Sequence, residues 1–150
     1  MPKGAIFLIA ATAFLSAAVL PCWANLGDTL SQSIARYGKP ITQGKGDSSD
    51  AGYPWYVFRN GNFEIQEYFS GKTCWMEDWC KKDRTAMSKS EQSAILNANK
   101  GRDKWSEPKE ESGARSWLRS DGATALYDPI RGTMTAGNDI LLTLIPARKK

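Results

Sequence analysis

Polar and apolar positions along the chain fall into short periodic runs separated by turn residues. Leu30, Ile34 and Tyr37 recur at the spacing of one helical face. Thr29 stands before them as an N-cap, with Gln32 three residues on as its capping-box partner, and Gly38 and Pro40 end the run. The segment Gln43 to Gly52, rich in Gly, Ser and Asp, reads as a loop. Trp55 to Arg59 is aromatic and β-branched, Asn60-Gly61 suits a tight hairpin turn, and Phe63, Ile65 and Phe69 mark one face of an alternating second strand. Ser70-Gly71-Lys72 turns the chain into a third strand from Thr73 to about Trp79.

The second half repeats this order. Ser88 with Glu91 forms another capping box, Ala94, Ile95, Leu96 and Ala98 give a partly apolar helix, and Asn99-Lys100-Gly101 ends it. Ser106 to Gly113 reads as a polar connector. Ala114 to Arg119 and Ala123 to Asp128, joined by Asp121-Gly122, predict a second hairpin, and Asn138 to Ile145 a last strand. The pattern therefore predicts two helices on an antiparallel sheet, of class α+β and order αβββαβββ.

The N-terminus has a different character. After Lys3, residues Ala5 to Leu20 are apolar or small apart from Thr12 and Ser16, a run shorter than the roughly 20 residues of a membrane span. A basic start, an apolar centre and small residues at Cys22 and Ala24 describe a secretory signal peptide, with cleavage expected between Ala24 and Asn25. Residues 25–150 then form one domain. Lipidation of Cys22 needs a small residue before the cysteine, and Pro21 occupies that place, so a discarded Cys22 and no lipid anchor are expected. The mature chain is expected to have no transmembrane span and to reside in the periplasm or the medium.

Charge and composition narrow the task. The chain carries 20 Lys+Arg and 16 Asp+Glu, and loss of Lys3 with the leader leaves a mild excess of +3 spread along the sequence. This is not the concentrated basic face of a nucleic-acid binder. There are no histidines, which removes Ser-His-Asp triads, Cys-His pairs, His-ligated zinc and the usual proton shuttle near neutral pH. Neither a metal nor a cofactor is expected. Asp47-Ser48-Ser49-Asp50 lacks the alternating ligands of a calcium loop, and Gly44 and Gly46 lack the Lys-Ser/Thr of a phosphate loop.

Two other matches are set aside. Ser106-Glu107-Pro108-Lys109 fits Ser-x-x-Lys but sits in a charged connector. Glu64, Glu67, Glu77 and Asp78 include no pair fixed at a working distance by the pattern alone, Glu64 and Glu67 facing opposite sides of a strand; they read as solubilising surface residues. Arg148-Lys149-Lys150 is a basic tail of three charges, too few to anchor the chain.

Cys74 and Cys80 remain after cleavage, and export permits a disulfide between them. Bridging requires a turn near Glu77-Asp78, whereas an unbroken strand holds them about 20 Å apart at 3.3 Å per residue. Trp55, Tyr56, Trp75 and Trp79 fall on adjacent strands. Large aromatics in so small a domain ordinarily form its core; on an open sheet face these four instead make a binding surface.

The stretches LGDTLSQSIARYGKP (Leu26 to Pro40) and YPWYVFRNGNFEIQEYFSGK (Tyr53 to Lys72) resemble the SmpA/OmlA (BamE-like) envelope proteins, and the helix-plus-strands unit in tandem resembles the β-lactamase-inhibitor-protein architecture. The first resemblance implies a non-catalytic envelope interaction module whose partner is another envelope or secreted protein. The second implies a secreted inhibitor of an enzyme. A hydrolase working without histidine is the third expectation, and the composition disfavours it.

Overall fold

In the computed structural model, which describes residues 26–46 and 52–138, the chain builds one antiparallel sheet with two short helices on a single face. The elements are α1 (Leu30–Tyr37), β1 (Thr42–Lys45), β2 (Pro54–Asn60), β3 (Phe63–Ser70), β4 (Thr73–Lys81), α2 (Lys89–Ala98), β5 (Lys109–Glu111), β6 (Ala114–Leu118), β7 (Thr124–Asp128) and β8 (Thr133–Gly137). The strand order across the sheet is β1-β2-β3-β4-β8-β7-β6-β5. It reads alike from either edge, so each half is an αββββ unit and β4 meets β8 at the seam.

This corrects the expected fold class. The protein is predominantly antiparallel β with eight strands and two short helices, in the order αββββαββββ, and not a balanced α+β αβββαβββ. Three strands are missing from the sequence reading, and two of them, β1 and β5, are the edges of the described sheet. β1 lies in what reads as a loop and β5 in what reads as a connector; both are polar and mostly exposed, so neither carries a hydrophobic period. Charged edge strands deter pairing with other chains, and β5, with one Lys and two Glu, fits that use. The third is β8 at Thr133–Gly137, where small residues pack between β4 and β7. Of the expected Asn138 to Ile145 strand, residues 139–145 lie outside the described residues, as does the cleavage site Ala24-Asn25 together with Cys22.

Local chemistry explains the helices. Thr29 accepts the Gln32 backbone N–H while the Gln32 side chain accepts that of Thr29, and Ser88 with Glu91 does the same for α2. α2 buries Gln92, Ile95 and Leu96 against Phe63, Ile65, Trp79, Trp117 and Tyr127, which form the main core. Only Ser33 of α1 is buried; Tyr37 meets the Phe58 ring at 5.5 Å. The segment before α1 is pinned to β4: Gly27 N–H donates to the Cys74 carbonyl at 2.7 Å and Cys74 N–H to the Asp28 carbonyl at 2.8 Å. No helix among the described residues is long and apolar enough to cross a membrane, which leaves β-barrels unaddressed.

Candidate functional site

Alternation along the strands sorts side chains onto two faces. Phe58, Ile65, Glu67, Glu77, Trp79, Met134 and Tyr127 point to the helices. Trp55, Val57, Tyr68, Met76 and Leu126 point the other way, where neither helix packs; all five are half-buried, and Leu118 at their margin is exposed. Polar groups are interleaved among them. Gln66 donates to the Tyr68 hydroxyl at 2.9 Å, the Thr135 hydroxyl donates to Asp78, and Glu64 accepts Arg59 at 3.1 Å and Arg84 at 3.4 Å. A mixed apolar and polar surface of this kind suits protein contact, with aromatic anchors and adaptable hydrogen-bonding groups.

The four aromatics expected to share a binding face are divided. Trp79 is fully buried in the core, its indole edge-on to Phe63 at 5.9 Å and its N–H donating to Glu77. Tyr56 lies on the helix side, directly opposite Glu67, with its ring edge-on to Phe69 at 5.5 Å. Trp55 belongs to the helix-free face and lies so close over Gly44 that a Cβ there would come within 2.6 Å of the indole. Trp75, beside the bulge between Tyr68 and Phe69, packs on Tyr53 at 5.2 Å. Sequence reasoning missed Tyr68 and Met76 on that face, although the period of two that places Ile65 inward places Tyr68 outward.

Cys74 and Cys80 are free thiols. β4 runs unbroken through both, which separates them by about 20 Å, so the turn that a bridge requires is absent. Burial pushes the Cys74 thiol well up, with the Glu77 and Glu67 carboxyls adding to it. Burial also raises that of Cys80, against the nearby Arg84 guanidinium, whose Nη1 donates to the sulfur at 2.8 Å.

Glu67 and Glu77 contradict their reading as solubilising surface residues. They are direct cross-strand partners on the helix side, and both are wholly buried. Glu77 Oε2 accepts Trp79 Nε1 and Asn99 Nδ2, each at 3.0 Å, while its Oε1 has no donor. Neither oxygen of Glu67 has a bonded donor; the Ser33 hydroxyl faces it but donates to the Thr29 carbonyl at 3.4 Å. Burial raises Glu67 from 4.5 to about 7, with Ser33 lowering it, Asp28 raising it and Arg36 lowering it in smaller measure. Burial and then the Glu67 charge raise Glu77 to about 8, against the hydrogen bonds from Asn99 and Trp79. Register was the missing signal, because only the pairing of β3 with β4 brings two carboxylates ten residues apart face to face. Among the described residues no group of three or more His, Cys, Asp and Glu is arranged to hold a metal ion.

A cleft of about 540 Å³ also opens between α2 and the β5–β6 hairpin, lined by Lys89, Lys100, Lys104, Trp105 and Arg115 among others. Two of its donor side chains, Arg115 and Trp105, are committed within the protein. Arg115 binds Glu110 at 2.8 Å and Gln92 at 3.2 Å, and the Trp105 indole donates to the Leu96 carbonyl at 2.7 Å.

No family model matches the chain, and no curated protein does. Among solved structures it is similar to an extracellular protein containing a SCP domain from Bacillus anthracis str. Ames, with a TM-score of 0.41 and 11% identity. The likeness covers 95% of this chain and 52% of that one, so this chain spans about half the length of its neighbour. A likeness of this size decides neither fold nor function.

Proposed function

We propose that this chain is an exported, non-catalytic binding protein of the cell envelope, and that its helix-free sheet face receives another envelope or secreted protein. The observation that carries the reading is the distribution of side chains on that face: half-buried Trp55, Val57, Tyr68, Met76 and Leu126, interleaved with the Arg59-Glu64-Arg84 and Thr135-Asp78 groups. The apolar start of the sequence supports export, to the periplasm or the medium. The absence of histidine supports a role without catalysis.

The test is the double variant Tyr68→Ala/Met76→Ala, produced in the native host beside the unaltered protein. Both side chains project away from the core, so the fold is retained while co-purification of the envelope partner falls at least tenfold, as expected on losing two central anchors. Unchanged co-purification by a folded double variant would remove the face from the account. Tandem αββββ units favour a second form of the same reading, a secreted enzyme inhibitor. That form requires a one-to-one complex with a soluble enzyme in the medium, where the envelope form requires recovery with the membrane fraction.

A further inference from the structure

The sheet's internal symmetry sets Glu67 and Glu77 apart. Because the strand order is the same from either edge, β3 and β4 of the first half correspond to β7 and β8 of the second. Counted back from the turns that join β3 to β4 and β7 to β8, Glu67–Glu77 is the fourth cross-strand pair, and its counterpart is the buried pair Ala125–Ala136. The fold thus fills one copy of this position with neutral side chains and the other with two buried acids. The alanine pair needs no hydrogen-bond partner, whereas three of the four carboxyl oxygens in the first copy have no donor. Architecture alone does not call for acids here.

We propose that α1 is a pH-gated cover over the Glu67–Glu77 pair, closed while the pair holds its protons and loosened as Glu67 gives its proton to solvent. The surrounding groups fix the direction. Asp28, ahead of α1, opposes a negative Glu67; its cross-strand neighbours are Tyr56 in β2 and Glu77 in β4, and burial holds Cys74 of β4 neutral; Ser33 and Arg36, both of α1, favour the charge, but Ser33 donates to the Thr29 carbonyl and Arg36 is paired with Asp28. Glu77 keeps two donors when ionised, so Glu67 is the carboxyl that must reach water. The route to water lies through the helix, since β3 is bonded along both sides to β2 and β4. α1 buries one residue, and it ends at Gly38 with φ +83 and open space around it, a natural pivot. The strap from Leu26 to Thr29 stays attached through its bonds to Cys74 and Asn99, so the helix swings without leaving.

Hydrogen exchange of the whole protein across pH 5 to 8, expressed as protection factors to remove the intrinsic effect of hydroxide, reads this opening. Release of one proton on opening makes protection of the Ser33 to Gly38 amides fall about tenfold per pH unit between pH 5 and 7, then level off by about pH 8. The β3 amides, which exchange through unfolding of the whole sheet, stay more protected than those of α1 at every pH and follow the pH dependence of the urea-derived stability. Glu67→Gln abolishes the slope; Glu67→Met, neutral and of similar length, serves the same purpose if the glutamine variant does not fold. Constant protection of α1 in the unaltered protein would overturn the proposal, and so would an unchanged slope in either folded variant. Neither result depends on the identity of any binding partner.

Discussion

A buried carboxyl is tolerated only if it is neutral or well bonded, and Glu67 has no bonded donor while Glu77 has donors on one oxygen. Both therefore hold their protons past the ordinary value of 4.5, to about 7 and about 8. Unfolded, they would release them near 4.5, so the folded state binds more protons across that window. Stability is fully present below pH 4.5 and declines as pH rises through the folded values. Each tenfold change is about 1.4 kcal/mol, so the pair costs several kcal/mol at pH 9 relative to pH 5. Urea titrations at those two pH values should show a higher midpoint at pH 5, and Glu67→Gln should remove much of the difference. The thiols give a second residue-level expectation. With Cys74 buried and Cys80 partly exposed, a maleimide should label Cys80 in the folded protein and reach Cys74 only after denaturation, which peptide mapping resolves.

Among the elements, those with a periodic pattern were legible and those without were not. Both helix caps, the hairpin across Gly61 and the strand from Thr73 follow from local sequence and are present; the two-residue turn is Gly61-Asn62, one position later than the Asn60-Gly61 dipeptide suggests, since Asn60 pairs with Phe63. β1 and β5 escaped because an edge strand needs partners on one side only and can be polar throughout. β8 escaped because a strand at the centre of the sheet can be built from Thr, Met, Ala and Gly when its neighbours supply the bulk. The acid pair was invisible for a related reason, burial being a property of register and not of residue type. Caps and turns should respond accordingly. Thr29→Ala and Ser88→Ala should each lower stability by about 1 kcal/mol in urea unfolding. Gly132→Ala should do so by about 1–3 kcal/mol, because φ is +65 there and a Cβ would lie 3.1 Å from the Thr85 carbonyl.

At the scale of the molecule, one face of the sheet is devoted to the core and the other offers Trp55, Tyr68, Met76 and Leu126 for contact. Truncation should separate the two roles: Trp79→Ala, in the core, should cost about 3–5 kcal/mol of stability, while Tyr68→Ala should leave stability nearly unchanged and weaken partner binding. The most direct test of the central claim is site-specific cross-linking in the native host, with a photoreactive amino acid at position 126 on the helix-free face or at position 93 on the exposed side of α2. A discrete protein adduct from position 126 and none from position 93 is the expected result. Adducts from position 93 alone would contradict the account and transfer the working surface to the helix side.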